Sequence, residues 1–155
     1  MKSLSARLTH PATWTLLLLA AATLCTGCAS ESEEPVTGAA NGHPFALERA
    51  EMNNDVLTLH GADGMAFFVF LFLEEGESPE ERSVVVEQAS FGNPHIHMHY
   101  RDQGQLEIDT FMKKYKMHLE LGRRDGDRLP GRISLELPDE AGSAIEGSFV
   151  ASYNR

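Results

Sequence analysis

Three histidines alternate with apolar residues in His95-Ile96-His97-Met98-His99. Imidazole can ligate a metal, carry a proton near neutral pH, or offer an aromatic ring, and its neighbours decide which. In an extended strand, side chains two residues apart share a face, spaced by about 7 Å. His95, His97 and His99 then line one face, and Ile96, Met98 and Tyr100 line the other. A second run follows Arg101-Asp102-Gln103-Gly104, and its apolar residues include Leu106 and Ile108. A three-residue loop, Asp102-Gln103-Gly104, with Gly104 in the left-handed position, pairs His99 with Glu107 and His97 with Asp109. His118, on the next run, is a further candidate for the same face.

Three chemistries fit that constellation. The first is a divalent metal site held by His95, His97 and His99, with His118, Glu107 or Asp109 assisting. Imidazoles at i and i+2 converge on one ion, and a neighbouring strand supplies the rest. Zinc suits imidazole plus carboxylate; copper also takes imidazole, with Met112 or Met117 as a soft ligand if either reaches that face. The second is a polar outer face on a half-buried hairpin, stabilised by cross-strand His–carboxylate pairs of up to about 1 kcal/mol each. The third is a pH response, because carboxylate neighbours raise imidazole pKa values.

The His-x-His strand resembles the strands that hold zinc in α-type carbonic anhydrases and copper in copper/zinc superoxide dismutases. That resemblance implies a metal site and, through it, a metal-dependent enzyme. The chain departs from both families. It is much shorter than a carbonic anhydrase, and a dismutase-type site would consume essentially every histidine of the folded part. The dismutase disulfide cannot form, because the two cysteines, Cys25 and Cys28, both lie near the N-terminus. Their position also removes thiolate metal centres and a cysteine nucleophile from the folded part.

Other chemistry finds no foothold. There is no Gly-rich phosphate loop and no Ser in a nucleophile-elbow setting. Carboxylates are numerous, but nothing selects a catalytic pair. The single Trp, Trp14, precedes the folded part, which weakens carbohydrate binding on aromatic platforms.

The elements that must position the histidines are short strands. Residues 65–73 (MAFFVFLFL) are all apolar, four of them Phe. Nine residues are too few to cross a bilayer as a helix, which needs about 20. The run reads as the central strand of a β core, buried on both faces. Residues 45–52 and 56–60 flank Asn53-Asn54-Asp55 as a hairpin. An acidic loop at 74–81 carries at most one helical turn, at Ser78-Pro79-Glu80-Glu81, before a strand over 83–88. Further strands are expected at 95–100, 105–112, 115–121, 132–137 and 144–153. The apolar face is even-numbered over 106–112 and odd-numbered over 115–121, so a bulge or tight turn near Lys113-Lys114 is expected to absorb the shift. Eight or nine short strands and no sustained helical period give an all-β fold, an antiparallel β-sandwich or small barrel.

The N-terminus carries an address. Lys2 and Arg7 precede a short apolar core at 16–24, then Cys25-Thr26-Gly27-Cys28. That order is the secretory pattern. The small pair Thr26-Gly27 before Cys28 resembles the lipobox of bacterial lipoproteins, with Cys25 standing where Leu is usual. The resemblance implies a signal peptide over 1–27, lipidation of Cys28 with acyl chains such as palmitate, and a membrane anchor. Ala29 after the cysteine, rather than Asp, implies the outer membrane by analogy with Gram-negative lipoproteins. Ordinary secretion with cleavage near Ala29-Ser30 is the alternative. Residues 28–43 are small, acidic and turn-forming, and are expected to be a flexible tether. The β domain then spans 44–155.

The 155 residues allow one domain of that kind. Formal net charge is −10; setting Lys2 and Arg7 aside leaves 11 basic and 23 acidic residues, a net −12. Such a chain repels phosphate backbones, so nucleic acid is not an expected partner. The first expectation is a non-enzymatic, lipid-tethered binding or structural module of the cell envelope with a protein partner there. A metal-binding domain is second, and a metal enzyme third.

Overall fold

Side-chain alternation in the sequence becomes alternation in burial along ten strands. The computed structural model describes residues 34–87 and 92–154. The leader, Cys28 and the first part of the expected tether lie outside the described residues, as does the end of the strand expected over 83–88. The strands are β1 (Thr37–Ala40), β2 (His43–Asn53), β3 (Val56–Gly61), β4 (Ala66–Phe70) and β5 (Arg82–Val86). They continue as β6 (His95–Asp102), β7 (Gln105–Phe111), β8 (Lys116–Leu121), β9 (Arg128–Glu136) and β10 (Ala144–Asn154). Among the described residues the one helical element is a single 3-10 turn, Ala62–Gly64.

The strands hydrogen-bond into one curled sheet, a half-barrel, in the order β5-β8-β9-β10-β1-β2-β3-β4-β6-β7. Neighbouring strands run antiparallel, and β10 also meets β2 in parallel from Ala151 opposite Ala50 to Asn154 opposite Asn53. This is the all-β antiparallel architecture that the short alternating runs called for. The strand count exceeds eight or nine because part of the expected tether is folded. Pro35 bridges Ser148, Val36 is fully buried, and β1 lies between β10 and β2. Small residues are what permit this. Gly38 has φ +152, and a Cβ there would stand 2.0 Å from the Ala144 carbonyl oxygen. At Gly38 a small residue is required by close backbone approach.

The core fills the inside of the curl. Leu57 and Leu59 of β3, Phe67 and Val69 of β4, and Ile96 and Met98 of β6 are all fully buried. Leu119, Ile133 and Leu135 face them from the other half of the sheet. Burying each such side chain stabilises the fold by about 1.5–3 kcal/mol. Phe45 and Phe67 meet edge-on, ring centroids 5.1 Å apart.

The apolar run 65–73 departs from its expected two-sided burial. Met65, Phe67, Val69 and Leu71 point into the core, whereas Phe68 and Phe70 are half-buried on the outside and Phe72 is 51% exposed. β4 is interior to the sheet, between β3 and β6. Its outer face stays apolar because imidazole rings from β6 lie against it.

The chain changes halves between β7 and β8. β7 ends one side of the sheet, and β8 is next to the last strand of the other. The even-numbered apolar residues of β7 lie on the outer face, so the inward face is odd-numbered on both β7 and β8 and no shift needs absorbing. Lys114 turns the chain at φ +64. Tyr115, also buried, donates its hydroxyl to the Pro94 carbonyl and so ties the start of β8 to the approach of β6. Burial pushes the Tyr115 phenol up to about 12.

Candidate binding surface

β6 carries the histidines, and its alternation places them as the sequence implied. Ile96 and Met98 are fully buried, while His95, His97 and His99 are half-buried on the outer face. β4 runs beside them with Phe70 opposite His95, Phe68 opposite His97 and Ala66 opposite His99. The rings meet on the diagonal. Phe68 and His99 lie 4.4 Å apart between centroids, Phe70 and His97 4.6 Å, and Phe72 and His95 4.6 Å. Ala66 offers His99 no ring, so His99 leans on Phe68. His60 of β3 closes the row, edge-on to Phe68 at 6.4 Å. It is part of this face.

The carboxylates are on the other side of the sheet. The β6–β7 connection is a two-residue turn, Gln103-Gly104, with φ +48 and +83. Positive φ at both positions is the geometry of a type I′ hairpin. The register that follows pairs His99 with Ile108, His97 with Thr110, and Tyr100 with Glu107. The expected three-residue loop would have paired His99 with Glu107 and His97 with Asp109. One residue fewer in the loop sends Glu107 and Asp109 to the inner face and brings Leu106 and Ile108 to the histidine face. Asp109 instead accepts a hydrogen bond from the Tyr100 hydroxyl at 3.1 Å. Desolvation raises the Tyr100 pKa first, followed by that hydrogen bond and the charges of Asp109, Glu107 and Asp102.

The electrostatics of the histidines change accordingly. Desolvation, and secondarily the neighbouring imidazole, lowers the pKa of both His97 and His99. The expected upward shift required carboxylates on the same face. The shift favours the neutral form of both imidazoles.

His118 belongs to the far half of the sheet. It sits on β8 between Val85 and Ser134, exposed, with its Nε2 3.2 Å from Glu120. Met117 is in the core. Met112, the residue after β7, is exposed. Among the described residues, no group of three or more His, Cys, Asp or Glu side chains is placed to hold a metal ion. The structure thus brings His95, His97 and His99 together and separates them from His118, Glu107 and Asp109.

In place of ligands, the outer face carries exposed apolar side chains. Phe72 is 51% exposed, Leu106 53% and Ile108 52%. Phe72 is also held at φ +51, a conformation that costs a bulky residue about 1–3 kcal/mol. Sequence reasoning missed the three outer phenylalanines, because an unbroken apolar run hides its own alternation. It missed Leu106 and Ile108 because it gave the turn one residue too many. Gly104 after Gln103 was the available signal.

A second depression lies outside β8–β10, lined by His118, Glu120, Arg132, Ser134 and Glu146. Within it His118 Nε2 lies 3.2 Å from Glu120, and Arg132 pairs with Glu146 at 3.7 Å. No family model, no curated protein and no solved structure matches the chain.

Proposed function

We propose that this protein is a lipid-anchored, non-enzymatic binding module of the bacterial envelope, docking a partner protein on the outer face of β4, β6 and β7. The anchor reading rests on the leader and on the Thr26-Gly27-Cys28 segment. Among the described residues, no helix is long and apolar enough to cross a membrane. The observation that carries the binding reading is the exposure of Phe72, Leu106 and Ile108 beside three stacked Phe–His pairs. Large apolar side chains gathered on one face mark interaction surfaces more often than chance scatter does. The backbone strain at Phe72 supports the same reading, since holding a half-exposed ring in that conformation costs folding stability. The imidazoles of His97 and His99, whose neutral form is favoured, suit such a face because they add aromatic area.

The test uses envelopes solubilised in mild detergent and resolved under native conditions. The protein is expected in a complex well above its 17.1 kDa mass. The double variant Phe72→Ser/Ile108→Ser alters two exposed positions and is expected to keep its fold and leave that complex. Wild-type protein running as a monomer, or a double variant that stays in the complex, would overturn the reading.

A further inference from the structure

β7 ends the sheet. Among the described residues it pairs only with β6. In the Gln103-Gly104 turn, the Asp102 carbonyl accepts from the Gln105 N–H, so Asp102 and Gln105 form a hydrogen-bonded pair. Bonded and non-bonded pairs then alternate along an antiparallel ladder. Gln105, Glu107, Asp109 and Phe111 therefore turn their backbone groups toward β6. Leu106, Ile108 and Thr110 turn theirs outward, where nothing described meets them. The register runs unbroken from Gln105 to Phe111 with no proline, lysine or bulge, and its edge protection is the pair of inward-pointing carboxylates, Glu107 and Asp109, which a basic partner would satisfy. The opposite edge, β5, is shorter and has Arg82 held to Glu77 at 2.8 Å.

We propose that the β7 edge accepts an extended segment of a partner protein by strand addition, and that this segment alternates apolar and basic residues. This rests on the binding reading above and names the partner's chemistry. Residues opposite Leu106, Ile108 and Thr110 continue the apolar outer face. Residues opposite Glu107 and Asp109 fall on the inner face beside those carboxylates, where basic side chains complement them. A second copy of this chain is opposed in the three central registers, those that overlap the strands most. A two-fold antiparallel pairing centred on Glu107 opposes Glu107 to itself. Centred on Ile108 it opposes Glu107 to Asp109, and centred on Asp109 it opposes Asp109 to itself. Each puts two carboxylates in a closely spaced, non-hydrogen-bonded pair, which is destabilising. The net charge of −10 further favours encounter with a basic segment.

The test measures hydrogen exchange in the full chain with a synthetic peptide of about eight residues alternating Lys and Val. The peptide is expected to slow exchange at Leu106, Ile108 and Thr110 at least about ten-fold, while a Glu/Val peptide does not. Ile108→Pro removes one outward N–H and leaves the β6 ladder intact, and is expected to weaken Lys/Val binding at least about ten-fold. Glu107→Lys/Asp109→Lys keeps the edge and is expected to reverse the peptide preference, which decides the matter if the proline variant unfolds. No slowing by Lys/Val, equal slowing by Glu/Val, or an unchanged preference in the lysine variant would overturn the proposal. So would a dimer of the free chain in which these three amides are already slow. A native complex lost in Phe72→Ser/Ile108→Ser without any edge binding would remove this inference alone. Absence of the complex would remove the reading it rests on.

Discussion

Phe70 of β4 and His97 of β6 stack with ring centroids 4.6 Å apart and planes inclined by 51°. The contact explains why the outside of this sheet half is apolar yet rich in histidine. Each imidazole covers part of a phenylalanine that strand alternation turns outward. An aromatic contact of this kind contributes about 0.5–1.5 kcal/mol beyond area burial. It also makes the face sensitive to protons, since a charged imidazole loses more than a neutral one when desolvated.

The first prediction concerns pH. His97 and His99 have folded pKa values below the ordinary 6.5. Between the folded and unfolded values, the unfolded chain binds more protons, so stability rises with pH there. The histidine contribution is fully present above pH 6.5 and is lost as pH falls through the lowered folded values. Thermal unfolding between pH 7.5 and pH 5 is expected to show a falling Tm. His97→Gln/His99→Gln should flatten that part of the profile. An equal slope in the variant would mean that other groups carry the effect.

The second concerns metals. The carboxylates expected to complete a site lie through the sheet from the imidazoles, and each imidazole packs on a ring. Titration of zinc or copper into the full chain is expected to give no tight binding at one ion per chain. His97→Ala/His99→Ala should leave the titration unchanged. A tight site lost in that variant would require the rings to swing off their phenylalanines and would restore the metal reading.

The third concerns the turn that sets the register. Gln103 sits at φ +48, a conformation that asparagine tolerates better than glutamine. Gln103→Asn converts the turn to the Asn-Gly pair favoured in type I′ hairpins. The expected gain is up to about 1 kcal/mol in denaturant unfolding. Loss of stability instead would mean that the two-residue turn is not the one adopted.

The fourth concerns the anchor. Cys28→Ala removes the thiol at the position that the lipobox-like segment implies for lipidation. Membrane fractions are expected to lose the protein, which should appear in the soluble fraction. Retention of the variant in membranes would contradict lipid anchoring at Cys28.

Much of the fold was legible in the sequence. Tyr115, Met117, Leu119 and Leu121 alternate with polar residues, and the structure buries all four. Asn54 turns the β2–β3 hairpin at φ +53, as its residue type suggested. Two features were not legible, for different reasons. An apolar run such as 65–73 has no polar residues to reveal which side chains face out, and only its partner strand decides that. The β1 segment looked like a tether because its residues are small, and only the neighbours at Ala144 and Phe45 explain why they must be. The site turned on one residue. His95, His97 and His99 share a face in either register, but which side chains join them depends on whether the loop holds two residues or three.

The most direct test of the account is site-specific photocrosslinking in cells. A photoreactive amino acid would replace Phe72 on the proposed docking face, or Val85 or Val150, which are exposed apolar residues elsewhere. The account predicts a discrete adduct with one envelope protein from position 72, lost when Ile108→Asp is added, and no such adduct from 85 or 150. Adducts of equal yield from all three positions, or none from 72, would contradict a binding surface on β4, β6 and β7.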